Sequence, residues 1–359
     1  MSLSMSAQSG RPVAGDRSAA AAFFLILLAV LTAAVAVVSL GTGPAPLPVA
    51  RVVEILLAGP ASGASGDGLI IWQIRVPRIL IGALVGATLA VSGALMQGLF
   101  RNPLADPGLV GVSSGAALGA VSTIVYGGTV LLPLTLVFGS YAIAVAAFVM
   151  ASASTLLLYA IATRGGRTSI ATMLLAGIAL GAFSAAATGL LVFTSSDQQL
   201  RDITFWSLGG LGGASWNKLA VAGPIMLAVL LAMPVLARGL NAYVLGEAEA
   251  FHLGVHVQRL KFAAIFLVAA GTGAAVATSG VIGFVGIVVP HLLRLAMGPN
   301  HQPLLPACAM GGAVLLLLAD MVARTIVSPA ELPIGILTAA LGAPFLLWML
   351  LRRRGLVDL

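Results

Sequence analysis

Residues 241–262 read NAYVLGEAEAFHLGVHVQRLKF. With two glutamates and two histidines this is the most polar stretch in the second half of the chain. Apolar runs long enough to cross a bilayer flank it on both sides. Gly246 and Gly254 bracket about two helical turns. Glu247 and Glu249 fall in the first turn, where carboxylates suit the positive end of the helix dipole. Ala248, Phe251, His252 and Val255 follow three- and four-residue spacing and form one stripe. A short amphipathic helix between two spans has a face to cover. Its glutamates disfavour an anionic lipid surface, so the pattern predicts a partner protein in contact with the segment. Arg259 and Lys261 mark the edge of the span that follows.

Composition sets that segment in a membrane. Of 359 residues, 60% are hydrophobic and 8% charged, and the mean hydropathy is +1.10. A soluble domain carries about 25% charged residues, so this chain cannot cover a water-facing surface. Its net charge of +7 falls in the breaks between apolar runs, which points to topology rather than to nucleic acid. Forty-three glycines, many inside those runs, allow helices to approach closely where packing alone holds them together. The single cysteine, Cys308, excludes a disulfide within the chain. A polar tail, 1–17, precedes an apolar run from Ser18 to Leu40. That run exceeds the core of a signal peptide, usually about 7–15 residues, and reads as a retained first span.

The hydropathy pattern predicts an all-α polytopic membrane protein of about ten helices, near 18–40, 77–100, 108–126, 137–162, 169–195, 217–237, 262–280, 282–298, 304–326 and 334–352. The transmembrane domain then covers 18–352, with short tails at 1–17 and 353–359 and no inserted soluble domain. An even number of spans puts both ends on one side. That side holds all but six of the 18 Lys and Arg residues, the exceptions being Arg51, Arg75, Arg78, Arg201, Lys218 and Arg324. Excess basic charge marks the cytoplasmic side, so both termini and the 241–262 segment are expected there.

Several motifs carry candidate chemistry. In RNPLADPG, 101–108, two Asx-Pro pairs break the helix between two spans, which fits either a tight turn or a constriction at the mouth of a pathway. Arg75-Val-Pro-Arg78 and Arg324 are cations on the outer side, against the charge bias. They suit either lipid phosphate or the carboxylates of an external partner. Asp320, four residues before Arg324, is placed to pair with it on one helix face. Gly-x-x-x-Gly spacings occur at Gly82/Gly86, Gly111/Gly115/Gly119 and Gly177/Gly181, consistent with close crossings. Gly111-Val-Ser113-Ser114-Gly115 matches the serine-nucleophile pattern, with His291 in another span, as in an intramembrane protease. That pattern needs a preceding strand, and none is expected. His252 and His256 lack the glutamate of a zinc helix, so no metal site is assigned. No phosphate-binding G-x-x-x-x-G-K-[ST] is present, so ATP is not expected on this chain. An ion-coupled transporter would need ionisable residues at mid-membrane. Asp320 lies near an outer end, and the remaining mid-span positions read as uncharged.

RVPRILIGALVGATLAVSGALMQGLFRNPLADPGLVGVSSGAALGAV (75–121) resembles the signature region of the permease subunits of bacterial iron-siderophore, haem and cobalamin ABC importers. LGEAEAFHLGV (245–255), SGVIGFVGIVVPHLLRLAMGPNH (279–301) and ADMVARTIVSPAELPIGILTAALGAPFLLW (319–348) resemble the same family, in consistent order from about residue 20 to the C-terminus. The resemblance implies a type II importer permease: a ten-helix bundle in the inner membrane that forms a homodimer. It also implies two ATPase subunits inside, which carry ATP and magnesium, and a periplasmic binding protein outside. The chain itself would be a transport subunit, without catalytic residues or a bound cofactor. The segment with Gly246, Glu247, Glu249, Phe251, His252, Leu253 and Gly254 would be the coupling helix seated on the ATPase. Arg75, Arg78 and Arg324 would receive glutamates of the binding protein, and Asn102, Leu104, Thr168 and Ser169 would narrow the cytoplasmic exit. FWSLGGLGGASW (205–216) and the 245–255 segment are most similar to haem permeases, which implies haem as cargo ahead of siderophores and cobalamin.

Overall fold

The structure, a computed structural model, describes residues 18–60 and 66–353. The tails 1–17 and 354–359, with Arg11, Arg17 and Arg354, lie outside the described residues. In chain order the helices are α1 Ser18–Gly41, α2 Val49–Ala58, α3 Gly66–Phe100, α4 Val112–Tyr126, α5 Leu132–Ala162, α6 Ile170–Phe193 and α7 Asp197–Leu208. They continue as α8 Trp216–Leu245, α9 Glu247–His252, α10 Val257–Ser279, α11 Val285–Met297, α12 His301–Thr325 and α13 Ile334–Arg353. Among the described residues seven helices are long and apolar enough to cross a membrane, and α4, α11 and α13 are shorter apolar helices, which together match the ten expected spans. A hairpin of two-residue strands, β1 Thr163–Arg164 and β2 Arg167–Thr168, pairs Thr163 with Thr168 between α5 and α6. Ten crossings divide the molecule into a terminal face, where α1 begins and α13 ends, and an opposite face.

Burial runs as a membrane demands. α3 is the most enclosed long span, whereas α1, α5 and α6 show mostly outward-facing residues. Phe193 is 87% exposed and Val235 81%, as side chains facing lipid would be. Contact between spans is made by small residues. A methyl on Gly86 of α3 would lie 2.2 Å from the Gly312 carbonyl oxygen of α12, and one on Gly93 would lie 1.9 Å from that of Gly286 in α11. Gly115 and Gly119 press on α5 at the Met150 and Ala146 carbonyls, and Gly177 presses on Leu109. Gly181 meets open space, so its spacing does not mark a crossing within the chain.

Two boundaries differ from the sequence expectation, and two short helices, α2 and α7, lie where none was expected. α3 begins at Gly66, because wide π-type turns at Ile70–Arg75 carry the helix through the Arg-Val-Pro-Arg start. α8 continues to Leu245 despite Pro224 and Pro234, since neighbouring helices in a bundle tolerate the lost hydrogen bonds. α7 occupies a segment with no expected helix. It starts in a capping box of Ser196 and Gln199, and the Gln199 Nε2 also donates to the Ile124 and Val125 carbonyls at the end of α4.

The 101–111 link also differs. It turns back into the bundle, so that Asp106 lines a cavity of about 20 Å³ with Leu89, Ser113, Thr272 and Gly286. Its Oδ1 accepts from the Gly108 amide at 2.7 Å, capping the turn Pro107–Val110. The expectation of uncharged mid-span positions is thus corrected: an inward-folded turn brings a carboxylate beside the middle of α3 and α10. The same turn, not a strand, precedes Ser113, and Gly115 serves the α5 crossing, so the protease pattern is a packing pattern.

Candidate functional site

On the terminal face, α9 is a short helix bounded by Gly246 and Gly254, whose φ of 144° and 84° suit glycine. The Glu249 carboxylate folds back over Gly246, with Oε2 1.7 Å from where a Cβ would sit. Any side chain there would displace it. Glu247 reaches the other way. Its Oε2 accepts from Lys261 Nζ at 2.9 Å and its Oε1 from Gln258 Nε2 at 3.3 Å. Lys261 is buried and also donates to the Thr168 carbonyl at 3.2 Å. Gln258 Oε1 accepts from the Thr168 amide and hydroxyl at 3.2 and 3.1 Å. The short helix is therefore tied by its first residue to α10 and to the β hairpin.

α9 leaves both its polar side chains and two large apolar ones uncovered. Ala250 is its buried residue, while Phe251 is 69% and Leu253 63% exposed. Ala248 and His252 are exposed too, so the expected stripe faces outward rather than into its own protein. Beside it opens a cleft of about 1020 Å³, lined by the hairpin loop, Ser169, His256 and Arg259.

The four expected gate residues divide into two pairs. Thr168 and Ser169 sit with α9, Thr168 in the Gln258 and Lys261 network and Ser169 as N-cap of α6, accepting from the Thr172 amide at 3.2 Å. Asn102 and Leu104 lie at the end of α3, where Asn102 Oδ1 accepts from the Leu104 amide at 3.0 Å. Tyr243 joins the two regions. Its ring lies 5.5 Å from the Arg101 guanidinium and 5.7 Å from Lys261 Nζ. Gln258 and Tyr243 were not singled out from sequence, and Lys261 was read only as marking the edge of a span. The available signal was Lys261 itself, one of only two lysines in the chain.

On the opposite face the structure brings Arg75, Arg78 and Arg324 together, but as buried residues, not as side chains reaching outward. Arg75 donates to the carbonyls of Leu40 and Ala45. Arg324 donates to the Thr42 and Ser39 carbonyls at 3.0 and 3.3 Å and to Ser39 Oγ at 2.8 Å. Both guanidiniums thus hold the turn that follows α1. Arg78 spans two carboxylates. Its Nη2 lies 2.8 Å from Asp320 Oδ1, and its Nη1 lies 2.8 Å from Glu331 Oε1. Asp320, fully buried, also pairs with Arg324 Nε at 3.1 Å, the contact its four-residue spacing implied. Each of the three guanidiniums, buried as it is, thus takes acceptors from its own chain. Arg78 and Glu331 line a vestibule of about 410 Å³ on this face, together with Lys218 and Trp206.

A bundle of apolar helices, with a buried ion network on one face and a short tethered helix that shows Phe251 outward on the other, suits a membrane permease. The FecCD transport family matches residues 27–352, and the chain belongs to that family. The hemin transport system permease protein HmuU of Yersinia pestis is 49% identical over 287 residues, covering 79% of this chain and 84% of that protein. The vitamin B12 import system permease protein BtuC of Klebsiella pneumoniae is 44% identical over 82% of this chain and 87% of that protein. The cobalamin import system permease protein BtuC of Halobacterium salinarum is 45% identical over 79% and 73%. A solved structure described as a metal-chelate type ABC transporter in an inward-facing conformation superposes with a TM-score of 0.80. It is 34% identical and covers 92% of this chain and 99% of that one. The chain is thus a multi-pass permease of an ABC importer whose relatives carry haem, vitamin B12 or metal chelates.

Proposed function

We propose that this chain is the membrane subunit of a haem importer. It works as a homodimer in the bacterial inner membrane, with two ATPase subunits on the terminal face and a periplasmic binding protein on the opposite face. The terminal face is cytoplasmic, as the excess of Lys and Arg there argues. ATP and magnesium belong to the ATPase subunits, and nothing is hydrolysed on this chain. Haem is favoured as cargo by the 49% identity to the Yersinia hemin permease, against 44–45% to the B12 permeases.

The observation that carries this reading is α9. A six-residue helix that presents Phe251 outward, followed by an exposed Leu253, and is pinned through Glu247 to Lys261 suits insertion into a moving partner. Closure of the ATPases would press on its outward face. The Glu247–Lys261 pair would pass that motion to α10, and Tyr243 would pass it to the end of α3. Asn102 and Leu104, beside that end, are then placed to narrow the exit, with Thr168 and Ser169 moving along with the coupling helix.

The test is reconstitution in vesicles with the ATPase and the binding protein. Haem uptake that requires ATP and all three components is expected. Uphill uptake by the permease alone would overturn the reading. Cobalamin or a ferric siderophore taken up in preference to haem would keep the importer and replace the cargo. Glu247→Arg is expected to lower ATPase co-purification, and wild-type stoichiometry in that variant would remove the coupling role from α9.

A further inference from the structure

The vestibule holds a charge imbalance that the docking reading does not use. Arg78 and Lys218 are its lining cations and Glu331 its lining carboxylate, while Asp320, outside the lining, pairs with both Arg78 and Arg324. Two guanidiniums and two carboxylates pair with one another. The Lys218 ammonium makes no ion pair or hydrogen bond among the described residues. It lies against Gly213, 2.9 Å from where a Cβ would be, and the Glu331 Oε2 lies 3.1 Å from the same point on the preceding residue, Gly212. The unanswered cation and the half-exposed carboxylate therefore flank one glycine pair.

The two carboxylates on Arg78 are unequal. Asp320 is fully buried in α12 and shared with Arg324, so an incoming group cannot replace it without stranding a second charge. Glu331 sits on the turn between α12 and α13, and its side chain is 38% exposed. Arg78 is its hydrogen-bonding partner, through Nη1 at 2.8 Å and Nη2 at 3.0 Å. An exposed carboxylate that occupies a guanidinium fork opening on a cavity stands where an external carboxylate would bind.

We propose that the vestibule is a receptor for one carboxylate of the docking protein, that Glu331 occupies this place in the undocked chain, and that on docking Glu331 passes from Arg78 to Lys218. This rests on the importer reading above and goes further, because it gives roles to Glu331 and Lys218. The exchange leaves no charge unpaired. Arg78 keeps two carboxylates, Glu331 gains an ammonium, and the surplus positive charge is answered by the incoming group. It also explains how a buried arginine can serve an external partner.

The test measures the affinity of the cognate binding protein for the permease–ATPase complex in nanodiscs at low salt. Glu331→Gln removes the internal competitor and is expected to tighten binding about three- to tenfold. Lys218→Gln leaves the displaced Glu331 without a partner and is expected to weaken binding by a similar factor. In the Glu331→Gln background Lys218→Gln is expected to have no further effect, since there is no carboxylate left to receive. Thermal melts of each complex check that the bundle is intact, and Lys218→Gln, at a site without ion pairs, keeps the test open if Glu331→Gln loosens the fold. Unchanged or weaker binding by a folded Glu331→Gln variant overturns the proposal, as does an equal loss from Lys218→Gln in both backgrounds. Tightening seen only with cargo-loaded binding protein would also overturn it, by assigning the carboxylate to the cargo. Failure of the wild-type complex to bind at all would instead overturn the importer reading on which it rests.

Discussion

Asp320 shows how one residue organises a face. It is fully buried and answers both Arg78 and Arg324, whose remaining donors hold Glu331 and the turn after α1. Replacing it with asparagine keeps the shape and removes the charge, leaving two guanidiniums facing each other across an amide. Breaking a buried ion network in this way costs about 3–5 kcal/mol. Asp320→Asn is therefore expected to lower the melting temperature of the detergent-solubilised chain clearly, as followed by tryptophan fluorescence, and an unchanged melt would show that the network is not structural. Lys261 is the corresponding residue on the terminal face. Lys261→Met fills the same space but releases Glu247 and the Thr168 carbonyl, so faster hydrogen exchange across 247–253 is expected. Unaltered exchange there would mean that α9 is held by Ala250 and its backbone instead. The Asp320–Arg324 pair was legible in the sequence because its spacing lies within one helical turn. The Arg78–Glu331 pair was not, because 253 residues separate its members and only the packing of α3 against α12 brings them together.

At the scale of elements, the apolar pattern located the spans but not their contacts. In a bilayer every face of a span can be apolar, so hydropathy does not tell a lipid-facing side from a helix-facing one. Close approach is instead written in glycine, and spacing alone reads it imperfectly. Gly93 and Gly286 meet backbone to backbone without any four-residue pattern between them, whereas Gly181 has the pattern and no neighbour. This gives a paired prediction. Gly93→Ala sets a methyl 1.9 Å from a carbonyl oxygen and is expected to cost about 1–3 kcal/mol as overpacking. Gly181→Ala adds a better helix former in open space and is expected to leave the melting temperature unchanged or slightly raised. Thermal melts of the two variants check it, and equal losses would mean that Gly181 is covered by something outside the chain. The helix α7 was missed for a different reason. Its Ser196 and Gln199 start signal was present, but the segment is too polar and too short to register as a span.

For the whole molecule, the two faces are linked by a rod. α3 runs 35 residues from Gly66 to Phe100, about 50 Å at helical rise. It carries Arg75 and Arg78 near one end and stops beside the Arg101–Tyr243–Lys261 contact that leads to α9 at the other. Glycine contacts with α11 and α12 pack it closely along the middle. On the importer reading proposed above, events on the opposite face should reach the ATPase through α3, and α9 should supply an ATPase contact. The two ends can be separated by experiment. Phe251→Asp places a charge on a side chain that is 69% exposed, so the bundle should remain intact while the proposed ATPase partner loses its apolar anchor. ATPase co-purification and all ATP-driven uptake are expected to fall together, with the melting temperature unchanged. Arg78→Gln acts at the far end of the rod. In a variant that retains the bundle by thermal melt, basal ATPase activity of the assembled complex should persist, and only its stimulation by the binding protein should fall. If Arg78→Gln lowered basal and stimulated activity in equal proportion, the opposite face would be supporting the fold rather than signalling through it.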